Sequence, residues 1–274
     1  MQRFAGEIIV VKYGGSFMDS PDAAVREGVA RDVVFLQAAG IWLVVVHGGG
    51  KAITRAMEKA GLPAKFIQGM RVTDETTAQI VEQALSREIN PEIVATIERL
   101  GGKARGFAGT GIFRCRKLSL PENAGEKIDL GFVGDVTSVN AEHLRQTIME
   151  GIIPVISPTA LGADQKIYNC NADVAAAQTA IALQATRLVF MSDVPGLLRD
   201  PNSPGSVISE LAVGEVSALK RCGVIDKGMI PKVDSAVAAF HAGVENVSFI
   251  DGRVQSSLLE VFSEQNTSGT RIVS

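Results

Sequence analysis

An α/β fold, with a mostly parallel sheet covered by helices on both faces, is what this 274-residue sequence predicts. Three observations carry the prediction. Short β-branched runs recur along the chain, stretches with helical spacing separate them, and several of those stretches stop at a glycine.

Ile8–Val11, Leu43–Val46, Ile152–Ile156, Leu188–Phe190 and Val247–Ile250 are apolar without alternation, as strands buried on both faces are. Between them, Val25, Val29, Val33 and Leu36 fall on one helical face. So do Ile53, Met57 and Ala60, and later Val233, Ala236, Val237 and Phe240. Gly40, Gly61, Gly101, Gly151 and Gly243 stand where a helix closes in the left-handed conformation that glycine adopts without a Cβ clash. Strands joined by helix-length segments require parallel crossovers. Phe113–Val136 reads as a hairpin-like insertion and Asp200–Gly205 as a polar turn. A soft boundary is expected near residues 175–185.

Composition narrows the function. Hydrophobic residues make up 46% and charged residues 21%, which suits a folded chain able to bury a large core. A net charge of −3 speaks against a nucleic-acid or membrane surface. Cys115, Cys170 and Cys222 are far apart and show no metal spacing, so a reduced cytoplasmic setting is expected. No apolar run approaches the roughly 20 residues of a membrane span, nor does the N-terminus resemble a signal peptide.

Open parallel sheets bind ligands beyond the carboxyl ends of their strands, where helix N-termini present free N–H groups. Three such segments are unusual. Lys12-Tyr13-Gly14-Gly15-Ser16 places a cation beside a glycine pair able to form an anion-binding nest, although a plain turn with a solvated lysine fits equally. His47-Gly48-Gly49-Gly50 is a poor helix start unless a phosphate or carboxylate lies against the backbone; His47 itself fits a structural role. In Asn169-Cys170-Asn171-Ala172-Asp173, an extended chain directs the three polar residues to one side, as ligand contacts, as a carboxylate positioning a lysine, or as a helix N-cap. There is no GxxxxGK[ST], GxSxG or HExxH, the three histidines lack ligand spacing, and GFAGTG at 106–111 lacks the dinucleotide order.

These segments, with GMRVTD at 69–74, IDLGFVGDV at 128–136, YNCNADVAA at 168–176, MSDVPGLL at 191–198 and GMIPKV at 228–233, resemble the amino acid kinase superfamily over nearly the whole chain. Within it they are similar to the acetylglutamate kinase family. The resemblance implies a three-layer αβα sandwich with a central, mostly parallel sheet of about eight strands. It implies residues 1–178 as an N-terminal lobe that binds the acetylated amino acid and dimerises, and residues 179–274 as a C-terminal lobe for ATP. It also implies transfer of the γ-phosphoryl group of ATP to the γ-carboxylate of N-acetyl-L-glutamate, in arginine biosynthesis.

In that reading Lys12 and Lys232 stabilise the phosphoryl group in flight, and Asp173 holds the two lysines. Gly49, Gly50, Arg71, Asn169 and Asn171 bind the substrate. Gly14 and Gly15 approach the phosphates, while Asp193, Val194, Gly196, Leu197, Leu198, Val224, Ile225 and Gly228 cradle the nucleotide. Mg²⁺ arrives on the ATP phosphates, with no resident metal site, and the lobes close so that the lysines converge. A homodimer is expected, with a hexamer as the larger alternative.

Arg3-Phe4-Ala5-Gly6 and Leu258–Phe262 resemble segments of arginine-regulated hexamers. GFAGTG and Gln255-Ser256-Ser257 depart from the patterns of those regulated members, and Lys51 follows HGGG where many relatives have proline. Competing readings are a kinase for an acetylated or carrier-linked aminoadipate, a catalytically silent regulatory protein on the same fold, and a Rossmann oxidoreductase, which the glycine spacing disfavours.

Overall fold

The computed structural model describes residues 2–14, 20, 22–121, 127–203, 205–226, 228–263 and 269–274. The first half of the chain runs β1 (Ile8–Tyr13), α1 (Ala23–Ala38), β2 (Trp42–His47), α2 (Gly50–Lys59), β3 (Phe66–Ile67), β4 (Met70–Arg71) and α3 (Glu75–Glu82). A π-helical stretch, Gln83–Ile89, then leads into α4 (Asn90–Arg99), β5 (Ala104–Phe107) and the short α5 (Gly109–Ile112). The hairpin strands β6 (Phe113–Pro121) and β7 (Lys127–Val139) are followed by α6 (Ala141–Met149), β8 (Ile153–Ile156), β9 (Thr159–Gly162), β10 (Ile167–Cys170) and α7 (Ala172–Leu183). The remainder comprises β11 (Arg187–Ser192), β12 (Glu210–Ala212), α8 (Val216–Arg221), α9 (Met229–His241), β13 (Asn246–Asp251), α10 (Ser257–Glu260) and β14 (Thr270–Val273).

Eight strands form the central sheet in the order β12-β14-β13-β11-β1-β2-β8-β5. Every neighbouring pair is parallel except β13 with β14. Because side chains alternate across a strand, β1 sends Val10 into one core and Ile9 with Val11 into the other. Strand β2 divides in the same way, Val44 and Val46 against Leu43 and Val45. Both faces are therefore covered, as the continuous apolar runs predict. All five helix-ending glycines have positive φ, from 72° at Gly61 and Gly151 to 99° at Gly243.

A second, smaller sheet closes on itself in the order β10-β7-β6-β9, and the hairpin expected over Phe113–Val136 is its β6–β7 pair. Cys115 and Cys170 are buried and free, and Cys222 is exposed and free. No described helix is long and apolar enough to cross a membrane.

The lobe boundary expected at 178/179 falls inside α7, which runs unbroken across it. That helix packs on β1, β2, β7, β11 and α9, so it is shared by both halves of the chain. Phe4 and Phe262, from the two segments set apart by the resemblance, meet edge to face at 5.1 Å, and the Arg187 guanidinium lies over both rings.

Candidate active site

Three helix N-termini open onto one cavity of roughly 400 Å³, which is lined by Gly48–Gly50 at α2, by Asn171–Val174 at α7 and by Pro231 at α9. Each brings N–H groups without intrahelical partners and the positive end of a helix dipole. At α7 the Asn171 side chain takes up two of these groups, accepting from Asp173 N–H at 2.7 Å and Val174 N–H at 3.4 Å. At α2 the cap is Gly49, which has no side chain to do so. A Cβ on Gly49 would sit 2.5 Å from both Leu85 and Ile89, so this close approach needs glycine.

Two sets of charged side chains stand at the cavity. In the first, Lys12 Nζ at 3.1 Å and Lys232 Nζ at 3.0 Å both reach Asp173 Oδ1. Lys12 projects from the centre of the sheet on β1, Lys232 from the first turn of α9 and Asp173 from the first turn of α7. Burial by itself would raise the Asp173 pKa, but the two ammonium charges outweigh it and hold the group at about 2. Burial is also the main influence on Lys232, moving its pKa below the ordinary lysine value despite the carboxylate beside it. Lys12 from β1 and Lys232 from α9 thus converge on one carboxylate oxygen.

The second is Arg71, only 7% exposed. Its Nη2 donates to Gly50 O at 3.1 Å and to Thr54 Oγ1 at 2.9 Å, and its Nη1 approaches Met57 Sδ at 3.2 Å. The guanidinium also lies 4.7 Å from the Phe66 ring centroid. Among the described residues no carboxylate pairs with it, and burial lowers its pKa from the usual arginine value. A buried guanidinium without a counter-ion is costly unless an anion joins it.

Of the residues expected at the site, Gly49, Gly50, Arg71, Asn169, Asn171 and Asp173 line this cavity, and Lys12 and Lys232 touch it through Asp173. Asn169 is directed at Thr73, with Nδ2 at 3.5 Å from its Oγ1. Gly14 is buried at the end of β1, whereas Gly15 lies outside the described residues.

The expected nucleotide residues are not part of this cavity. Asp193 and Gly228 are exposed, Val194, Leu198 and Val224 are half-buried, and Gly196 is buried with an added Cβ meeting Thr270 Oγ1 at 2.7 Å. Leu197 and Ile225 are each 1% exposed and their side chains belong to the core, leaving only their backbones for a ligand.

Sequence reasoning missed the support around these groups. Thr54 and Met57 orient Arg71, while Leu118, Val133 and Pro158 add apolar wall. The π-helical stretch presses Leu85 and Ile89 against Gly49 and brings Ser86 Oγ within 2.6 Å of Ser157 Oγ. These residues come from distant segments, and no local spacing announces them.

The family described as the amino acid kinase family matches residues 7–251 of this chain. An acetylglutamate kinase of Heliobacterium modesticaldum is 44% identical over 280 residues, covering 100% of this chain and 94% of that protein. One from Pelotomaculum thermopropionicum is 43% identical, covering 97% and 92%. Among solved structures, the smu.665 protein of Streptococcus mutans UA159 superposes with a TM-score of 0.79 at 27% identity, over 100% of this chain and 99% of that one. N-acetylglutamate synthase from Neisseria gonorrhoeae, solved with coenzyme A and N-acetyl-glutamate, shares the fold with a TM-score of 0.82 at 24% identity, over 100% of this chain and 61% of its own.

Proposed function

This chain belongs to the amino acid kinase family, and we propose that it transfers the γ-phosphoryl group of ATP to the γ-carboxylate of N-acetyl-L-glutamate, a step of arginine biosynthesis. One observation carries the reading: a pair of ammonium groups on a shared carboxylate, and an arginine without a carboxylate partner among the described residues, stand at a single cavity. Such a cavity suits a small dicarboxylate, one carboxylate held by Arg71 and the other presented to the lysines.

The chemistry needs little beyond this. A substrate carboxylate with a reference pKa of about 4.3 is ionised at neutral pH and requires no general base. Catalysis then consists of in-line alignment and stabilisation of charge on a loose phosphoryl group in transfer. In our assignment Lys12 and Lys232 neutralise that charge and Asp173 keeps both ammonium groups in place. Gly49 and Gly50 present N–H groups, and Asn169 and Asn171 complete the substrate wall. Gly14, Gly15, Asp193, Val194, Gly196, Leu197, Leu198, Val224, Ile225 and Gly228 are assigned to ATP.

Residues 1–178 serve the acetylated amino acid and 179–274 the nucleotide, with α7 common to both. Mg²⁺ is assigned to the phosphate oxygens of ATP, where it lowers their charge. The site fits that arrangement because Asp173 is already committed to two lysines. A homodimer working in the cytoplasm is proposed from the resemblance to the acetylglutamate branch.

The test is ATP-dependent acyl-phosphate formation, trapped with hydroxylamine, across N-acetyl-L-glutamate, glutamate, N-acetyl-aminoadipate and carbamate. Selective turnover of N-acetyl-L-glutamate is expected. Preference for the aminoadipate substrate, or no turnover of any of the four with ATP bound, would overturn the assignment.

A further inference from the structure

His47 is fully buried at the end of β2, immediately before the glycines of the cavity, and phosphoryl transfer as described makes no use of it. Its surroundings define its proton. Asn90 Nδ2 lies 2.8 Å from the Val155 carbonyl, which can only accept, so the amide nitrogen is on that side. The same nitrogen lies 3.2 Å from His47 Nε2, so Nε2 is the acceptor and the ring proton is on Nδ1. Nδ1 in turn lies 2.9 Å from the Gly48 carbonyl and donates to it. Burial keeps the ring neutral, pushing its pKa down to about 4. A second ring proton would face the N–H of Asn90.

Sequence-distant elements build this chain of contacts. Asn90 is the first residue of α4, directly after the π-helical stretch, and is 3% exposed. A Cβ at Gly106 would meet Asn90 Oδ1 at 2.1 Å, so β5 has glycine where the amide needs room.

We propose that His47 is a positioning residue, which holds the Gly48 carbonyl toward the protein interior and thereby turns the Gly49 N–H into the cavity. The C=O and N–H of one trans peptide point in opposite directions, so anchoring the first aims the second. The Gly48 N–H is already taken by the Tyr13 carbonyl at 2.8 Å, which leaves the Gly49 N–H as the first amide of this loop offered to an anion. Asn90 sets the tautomer, His47 transmits it, and the oriented amide is ready before the ligand arrives. A donor aligned in advance costs no reorganisation during reaction.

This relay rests on the phosphoryl-transfer reading, and two variants separate it from simple core filling. His47→Asn keeps a donor in reach of the Gly48 carbonyl and loses Asn90. His47→Gln reaches Asn90 and leaves the Gly48 carbonyl without its donor. The expected result is a kcat for His47→Gln about tenfold or more below that of His47→Asn, with KM for N-acetyl-L-glutamate within about threefold in both. Equal kcat values, or the reverse order, overturn the relay.

Nitrogen NMR of the wild-type imidazole, identified by its absence from His47→Asn, needs no turnover. A protonated Nδ1 and bare Nε2 from about pH 5 to 8 are expected, and a protonated Nε2 overturns the relay. An active enzyme with the wrong tautomer refutes the relay alone, whereas failure to phosphorylate N-acetyl-L-glutamate refutes the functional reading.

Discussion

The Arg71–Asp173 cavity and the segments assigned to ATP are built in different materials. At the cavity, long charged side chains are buried or partly buried and individually held: Arg71 by Gly50 and Thr54, Lys12 and Lys232 by Asp173. Along Asp193–Leu198 and Val224–Gly228, Leu197 and Ile225 face the core, Leu198 is half-buried, and Asp193 and Gly228 face solvent. The difference teaches where substitutions should matter: charges in a low-dielectric cavity act strongly, and exposed polar groups act weakly.

The sharpest way to break this contrast is to remove a lysine or its holder. Lys232→Ala should lower kcat about 10²–10³-fold while KM for N-acetyl-L-glutamate changes by less than about threefold, because the proposed mechanism uses its charge in the transfer. Asp173→Asn should act in the same direction. Steady-state kinetics decide, and an effect confined to KM would reassign Lys232 to substrate binding.

Arg71→Ala comes next. Loss of a charge-assisted carboxylate contact worth about 1.5–3 kcal/mol should raise KM for N-acetyl-L-glutamate about 10–100-fold and leave KM for ATP nearly unchanged. Arg71→Lys should recover only part, since a lysine cannot make the paired donor geometry. Equal damage to both KM values would show that the two regions are not separable.

The pH profile follows from the same burial. Lys232 must be charged to act, and its pKa lies below the ordinary lysine value. Activity should therefore fall as pH rises through that lowered pKa, and Lys232→Arg should move this alkaline limb upward. Asp173, held at about 2, stays ionised through the working range, so it should contribute no acid limb above about pH 4. An acid limb that disappears in Asp173→Asn would contradict the assignment.

The smallest effect is expected from Asp193→Ala, a rise in KM for ATP of about threefold or less, as for an exposed polar contact. A loss as large as that of Arg71→Ala would mean that the nucleotide segment also depends on a specific buried charge.

Much of this was legible in the chain. The uninterrupted apolar runs announced a sheet buried on both faces, because a strand with solvent on one side alternates. The closing glycines announced the helix ends, because few other residues adopt positive φ cheaply. Lys12, the glycines after His47, and Asn169–Asp173 were legible because ligand-binding residues follow strand ends in sheets of this kind.

Other features depended on contacts between distant segments. Local pattern alone suggested a soft boundary near residues 175–185, and could not show that the helix there packs on elements from both halves of the chain. It likewise could not specify that Lys12 and Lys232 already share one oxygen of Asp173, or that Arg71 rests on Thr54 beneath Phe66. Nor could it show that Asn90, 43 residues from His47 along the chain, selects the tautomer of that ring.

By itself, then, the sequence determined which elements form and which residue types stand at the strand ends, since periodicity and backbone preference act over a few neighbours. Only the tertiary structure decided which charges are buried together, which donors meet which acceptors and therefore which protons sit where. Those outcomes depend on desolvation and on distances of about 3 Å between residues far apart in the chain.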